Sequence, residues 1–599
     1  MKSLLSLIVF VCSGASAFSQ DRAEMEKRLA ALPVEAPSVI AAGGLDGFTL
    51  NGAGASIKAV VVAGQAFSSA VQIRTMVKPE KPYSVQLTAR TTGPIRKGDV
   101  LLATFWARGL EHSTAADEPR TEFVLELAHE PYTKSGVLPA ALDEAWSRFY
   151  VPCYAVSDIA AGEGTVGFRC GYDPQVFEIA ELTVRNFGTS VKLDALPYTP
   201  STYTGRAADA PWRKAAAERI EKIRKGDLTV AVADAAGKPV PGAQVRVVQK
   251  KSAFGWGTAV DAGYLLADGA DADRYRATLL ADFNKVVIEN DLKWERWEKD
   301  RATGAKAVAW LREHGLPVRG HCLVWPGKKN LPQDVLALFA KPEELGARIA
   351  GHIAEEVNAF RGQLIEWDVL NEPFTNTDVQ AVLGDAVMID WFKAARAADP
   401  SPRFFINDYS ILESGGRDSA HQDHYFKTIK LLQDGGAPVQ GIGIQGHFSE
   451  DLTAIPRLIE ILDRFATFGL PIQITEFDIN TYDEQLQADY TRDFLTAMFA
   501  HESTSGVLVW GFWEKRHWIP ASAFYRADWS PRLAAKVWKE LTQKKWWTES
   551  TTKTDAAGAV KVRGFLGDYD VTVFANGKTT SKTVTLTRDG TRLDLRLGN

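Results

Sequence analysis

Residues 364–374, LIEWDVLNEPF, run from a buried-strand pattern straight into Asn371, Glu372 and Pro373. A carboxylate where a strand gives way to a loop is either solvated or aimed into a cleft, and the surrounding chain decides between these. Seven more short apolar runs share the pattern: FGWGTAV (254–260), KVVIEN (285–290), PVRGHCLVW (317–325), RFFINDY (403–409), QGIGIQGHF (440–448), PIQITEFDI (471–479) and GVLVWGFW (506–513). Amphipathic stretches such as KAVAWLREHG, PEELGARIAGHIAEEVNAF and VMIDWFKAARAAD separate them. Eight strand–helix units within residues 252–549 predict a (β/α)8 TIM barrel, a fold of typically about 250 residues. A doubly wound sheet is the alternative, but it has no need of eight units.

At 599 residues the chain is too long for one ordinary core, so a multidomain protein is expected. Upstream, residues 35–200 alternate apolar and polar positions between turn signals, as in VLLATFWARG, TEFVLELA and FEIAELTVRN. That pattern predicts a β-sandwich of the jelly-roll kind. Residues 201–225 change to a linker and a charged helix. On either side of the barrel, residues 226–251 and 550–599 are short strand patterns around Gly and Asn turns. The first piece is too small to bury a core alone. The two are therefore expected to form one small sandwich, split in sequence, with the barrel inserted into it. Together they resemble the carboxypeptidase regulatory-like, immunoglobulin-type fold at GKPVPGAQV and TDAAGAVKVRGFLGDYDVTV.

Residues 1–17 read as a signal peptide, with Lys2, an apolar run from Leu4 to Cys12, and small residues at Ala15-Ser16-Ala17. Export to periplasm, cell surface or medium is expected, with a mature chain starting at Phe18. The apolar run is too short to anchor the chain as a membrane span. A formal net charge of −5 leaves no basic footprint for nucleic acid. Cys153, Cys170 and Cys322 remain after cleavage. An exported protein permits a Cys153–Cys170 disulfide, and two separately buried thiols are the alternative. No spacing resembles a metal site, and no Gly-rich phosphate loop precedes a helix.

In a TIM barrel the C-terminal strand ends form the reactive face. There the chain brings Glu289, Asn290 and Lys293 (strand two), His321 and Trp325 (three), Asn371 and Glu372 (four) and Asn407 and Asp408 (five). Strands six to eight add Gln445 and His447, Glu476 and Asp478, and Trp510 with Trp518. Any one acid at a strand end is ordinarily a cap or a loop residue; it is their convergence that points to chemistry. Strands four and seven lie across the mouth from each other, which makes Glu372 and Glu476 the favoured pair. Facing carboxyls about 5–5.5 Å apart suit a retaining glycosidase, one acid protonating the leaving oxygen while the other attacks. Glu289, Asp408 and Asp478 compete as carboxylates on spacing alone.

The motifs GHCLVW, WDVLNEP, INDY, GIGIQGH, ITEFDI and VWGFWEKRHW, in this order from about Phe254 to Lys545, resemble the glycoside hydrolase family 10 endo-β-1,4-xylanases. The resemblance implies Glu372 as acid/base, Glu476 as nucleophile, His447 orienting Glu476, and Asn371 bonding the sugar 2-hydroxyl. It also implies that Glu289, Asn290, Lys293, His321, Trp325, Gln445, Trp510 and Trp518 line the glycone subsites. The implied partners are xylan, including arabinoxylan and glucuronoxylan, and xylo-oligosaccharides, with no cofactor or metal. Another retaining β-glycanase, or a catalytically silent polysaccharide-binding protein, are the alternatives. After Trp325 the family commonly continues with His, whereas this chain has Pro326 and GKKNLP, placing Lys328 and Lys329 near the site. EKRHW likewise departs from the usual strand-eight loop. FEIAELTVRNFG resembles carbohydrate-binding modules often joined to these enzymes.

Overall fold

The computed structural model describes residues 23–41, 44–113 and 118–597, so the leader expected at 1–17 lies outside the described residues. The chain divides into two compact units, Met1–Ala210 and Pro211–Asn599.

The first unit holds two five-stranded antiparallel sheets. One runs Thr49–Asn51, Gln86–Arg90, Gly164–Arg169, Arg120–Leu127, Lys134–Ala141; the other runs Ala55–Val61, Ser69–Thr75, Gln175–Asn186, Val100–His112, Ser147–Tyr154. Alternation along these strands sends Phe105, Phe123, Phe168 and Phe177 into one core, where Phe105 stacks on Phe149 and meets Phe168 edge-on. Cys153 and Cys170 belong to that core as free thiols, each pushed up to about 12 by burial. Of the two alternatives left by the sequence, the structure takes the separately buried thiols.

The second unit begins with a helix, Pro211–Ile223, that leads into the strand Lys225–Ala233. That strand pairs antiparallel with Ala559–Phe565 and parallel with Thr591–Arg596. Gln244–Ser252 lies between Glu549–Lys553 and Gly567–Ala575, both antiparallel. The inward residues of both sheets, among them Leu228, Val230, Val245, Val247, Val571, Val573 and Leu593, make one apolar core.

Between these strands the chain forms the barrel: β1 (Gly255–Val260), β2 (Lys285–Ile288), β3 (Val318–Val324), β4 (Glu366–Asn371), β5 (Arg403–Asp408), β6 (Gly441–Ile444), β7 (Ile472–Ile479) and β8 (Thr504–Val509). Every neighbouring pair is parallel, and β1–β8 and β6–β7 pairing closes the ring. Each strand is covered on both faces, which explains why the sequence reads as near-continuous apolar runs. All seven residues of β3 and all eight of β7 are buried.

The barrel interior departs from the branched aliphatic layers usual in this fold. Arg319 on β3 reaches Asp368 and Glu366 on β4 and Gln473 on β7, with Nη1 2.7 Å from Gln473 Oε1 and 3.0 Å from Glu366 Oε2. Lys285 Nζ donates to the same Glu366 oxygen at 2.6 Å. Burial alone raises a carboxyl, but here the surrounding cations hold Glu366 and Asp368 below the usual range. Charges this deep persist because each has an opposite partner. Among the described residues no helix is long and apolar enough to cross a membrane.

Candidate active site

Glu372 is the residue at which β4 stops. Its φ of 52° is left-handed, a conformation that costs a side-chain-bearing residue roughly 1–2 kcal/mol. Neighbours hold it there: its N–H donates to Asn407 O on β5 at 2.8 Å. The carboxylate is gripped from three sides. Trp325 Nε1 donates to Oε2 at 3.1 Å, Asn376 Nδ2 lies 3.3 Å from the same oxygen, and Gln445 Nε2 donates to Oε1 at 2.9 Å.

Glu476 projects from β7 and is almost wholly buried. Oε1 accepts from Asn407 Nδ2 at 2.9 Å, and Oε2 lies 3.2 Å from His447 Nε2. Burial pushes its pKa up, but the His447 hydrogen bond and the nearby cationic groups outweigh burial and hold it below the usual range. His447 also places Nδ1 3.1 Å from Asp478 Oδ2. Burial acts to lower the His447 pKa, yet Asp478 and Glu476 together raise it well above its ordinary value. The ring is therefore an imidazolium at neutral pH, set between two carboxylates.

Asn407 joins three strands. Its amide donates to Asn371 Oδ1 at 3.0 Å as well as to Glu476, and its Oδ1 accepts from Thr475 Oγ1 at 2.7 Å. Asn371 and Asn407 are register partners on β4 and β5, which sets the two amides side by side. Asn371 Nδ2 is buried with no partner in the protein, leaving a donor for a bound hydroxyl.

One cleft of about 500 Å³ collects Glu289, Lys293, His321, Trp325, Asn371, Glu372, Gln445, His447, Glu476, Trp510 and Trp518. Of the residues the resemblance assigned to the site, Asn290 does not line it; its Oδ1 accepts from Lys293 Nζ at 3.0 Å. Lys293 Nζ also sits 5.5 Å from the centre of the Trp325 ring. His321 is held by Asp368 at 3.0 Å, so the ionic barrel interior reaches the cleft floor. Trp518 Nε1 donates to Asp478 Oδ2 at 2.7 Å. Its ring is about half exposed, an apolar face fit to lie against a sugar.

The competing carboxyls separate. Asp408 lies outside the cleft lining, buried beside His421 at 3.0 Å and pushed up to about 6, chiefly by burial. Asp478 backs His447. Glu289 does line the cleft, and burial raises it against the opposing pull of Lys293.

Lys329, Thr375, Tyr409, Ser410, Glu413 and Ser414 complete the lining. Of these the sequence pattern placed only Lys329 near the site. Glu413 fastens the end of β6, with Oε1 accepting from the N–H of Gly446 and of His447 at 2.9 Å each. Its only signal in the sequence was an acid in a Gly-rich loop. Among the described residues no group of three or more His, Cys, Asp and Glu side chains is arranged to hold a metal ion.

A family model described as Glycosyl hydrolase family 10 matches residues 245–546. Curated relatives include the anti-sigma-I factor RsgI6 of Acetivibrio thermocellus, 31% identical over 407 residues, which are 67% of this chain and 50% of that protein. Endo-1,4-beta-xylanase 1 of Arabidopsis thaliana is 29% identical over 360 residues, 59% of this chain and 37% of that protein. The chain thus spans half or less of the length of these curated relatives. Among solved structures, native xylanase 10B from Thermotoga maritima is 27% identical and covers 49% of this chain and 96% of that one, with a TM-score of 0.45.

Proposed function

The chain belongs to glycosyl hydrolase family 10, and on that premise we propose that it is an exported endo-β-1,4-xylanase that cuts the xylan backbone with retention. The observation that carries this reading is the presence of two carboxyls in one cleft, one of them paired with His447. Glu476 is held ionised by its imidazolium partner, as a nucleophile must be, while Glu372 stands at a strand end in the same cleft. In the first step a Glu476 oxygen bonds to the anomeric carbon, the glycosidic C–O bond breaks, and Glu372 gives its proton to the leaving oxygen. In the second, Glu372 takes a proton from water as the water oxygen displaces Glu476 from the sugar. The unpartnered Asn371 Nδ2 supports a bond to the 2-hydroxyl beside the reacting carbon.

The test is hydrolysis by purified protein of xylan, mixed-linkage glucan and mannan. Release from xylan in preference to the others is expected. Preference for glucan or mannan identifies a different β-glycanase, and a folded sample inert on all three overturns the enzymatic reading. Export rests on the sequence of residues 1–17, and native protein retaining Met1 by mass spectrometry refutes it. Polysaccharide binding by the N-terminal sandwich rests on the resemblance at FEIAELTVRNFG. Its check is binding of the whole protein carrying Glu476→Gln to soluble and insoluble xylan, before and after proteolytic removal of that unit. Retention that is unchanged by the removal refutes a binding role for the sandwich.

A further inference from the structure

Asn376 lies in the loop after β4, behind the cleft lining and against Glu372. Its side chain is almost completely buried, although the segment Thr375-Asn376-Thr377-Asp378 is polar throughout. Every polar atom of its carboxamide is engaged. Nδ2 donates to Glu372 O at 3.0 Å and lies 3.2 Å from Thr375 Oγ1 and 3.3 Å from Glu372 Oε2. Oδ1 accepts from Asn330 Nδ2 at 3.1 Å. The backbone N–H of Asn376 donates to Glu372 O as well, at 3.3 Å.

One side chain thus touches both the carboxyl of Glu372 and the carbonyl of its left-handed backbone, and anchors both to the loop that follows β3. That loop is the segment Pro326-Gly327-Lys328-Lys329-Asn330, where the chain departs from the family pattern. It is shaped around Asn376: a Cβ added at Gly327 would collide with Asn376 Oδ1. Pro326 O accepts from Val379 N at 3.2 Å, fastening the two loops a second time. Trp325 and Gln445 fix the carboxylate oxygens but not the backbone from which the side chain springs. Asn376 fixes both.

We propose that Asn376 is the positioning residue for proton transfer by Glu372, and that the Pro326–Asn330 loop acts on catalysis through it. The inference rests on the reading of Glu372 as the proton donor. Asparagine suits the task because one group must donate toward Glu372 and accept from Asn330. Aspartate keeps the shape but turns a second carboxylate toward Glu372, and alanine removes every side-chain bond while keeping the backbone one.

Proton donation matters for a poor leaving group and little for an activated one, which gives a readout that mere destabilisation does not move. The experiment measures kcat/KM for Asn376→Ala, Asn376→Asp, Gly327→Ala and Glu372→Ala on a xylo-oligosaccharide and on a dinitrophenyl xylobioside. Both substrates are assayed on the same preparation, so a partly unfolded sample lowers both values equally and leaves their ratio unchanged. For both Asn376 variants the expected loss is about 10- to 100-fold on the oligosaccharide and under about threefold on the aryl glycoside. Gly327→Ala is expected to shift the ratio in the same direction. Equal losses on the two substrates, or no loss, while Glu372→Ala still separates them, overturn the role of Asn376. A Glu372→Ala enzyme that does not separate them overturns the proton-donor reading, and the role of Asn376 with it.

Discussion

Replacing His447 with Asn tests how the nucleophile is kept ionised. In the folded protein Glu476 is subject to opposed influences: burial raises its pKa, and the His447 hydrogen bond is the largest influence lowering it. Asn keeps a hydrogen-bonding group but removes the positive charge 3.2 Å from Glu476 Oε2. At an effective dielectric near 20, a unit pair at that distance is attracted by roughly 5 kcal/mol. Much of this is offset by the cost of keeping the imidazolium and the carboxylate out of water. The more conservative figure is the loss of one hydrogen bond between charged groups, about 1.5–3 kcal/mol, or about one to two pK units. The sign follows directly. A carboxylate that attacks must be ionised, so the acid limb of kcat/KM for a dinitrophenyl glycoside moves up by about one to two units. Activity on the acid side therefore falls further than activity near neutrality. An acid limb at the parental pH, in a variant with parental circular dichroism, refutes the claim that His447 sets the charge of Glu476.

Other perturbations separate the remaining roles. Glu476→Gln should abolish turnover of every substrate, whereas Glu372→Ala should lose activity mainly on unactivated glycosides; steady-state kinetics on the two substrate types decides. Arg319→Met should cost roughly 3–5 kcal/mol of stability, because it leaves buried Glu366 with Lys285 and buried Asp368 with His321 as their remaining partners. A denaturant midpoint unchanged by that substitution contradicts the account of the barrel interior. Deleting 550–599 removes the partners of Lys225–Ala233 and Gln244–Ser252. Residues 226–251 should then become protease-sensitive and the protein less soluble, and continued protection in limited proteolysis argues that the two ends of the chain pack independently.

The barrel was legible because its strands are short apolar runs at regular spacing, the local consequence of burial on both faces. Strand-end polar residues stood out against those runs, so Glu372 in WDVLNEPF and Glu476 in ITEFDI were visible from the chain alone, and the cleft holds both. The same logic hid Arg319, which lies within an apolar run with partners as far off as Gln473, 154 positions along the chain. Asn376 and Glu413 read as ordinary loop residues until folding put them against Glu372 and the end of β6. Asn290 fits the strand-end pattern yet stands outside the cleft lining. The two cysteines left a bridge open on paper, and the core settled them as separate thiols. Periodicity and burial are properties of neighbouring residues, and sequence records them. Hydrogen-bond partners, protonation and the grip on a left-handed glutamate depend on distances of about 3 Å between distant segments, and only the closed barrel determines those.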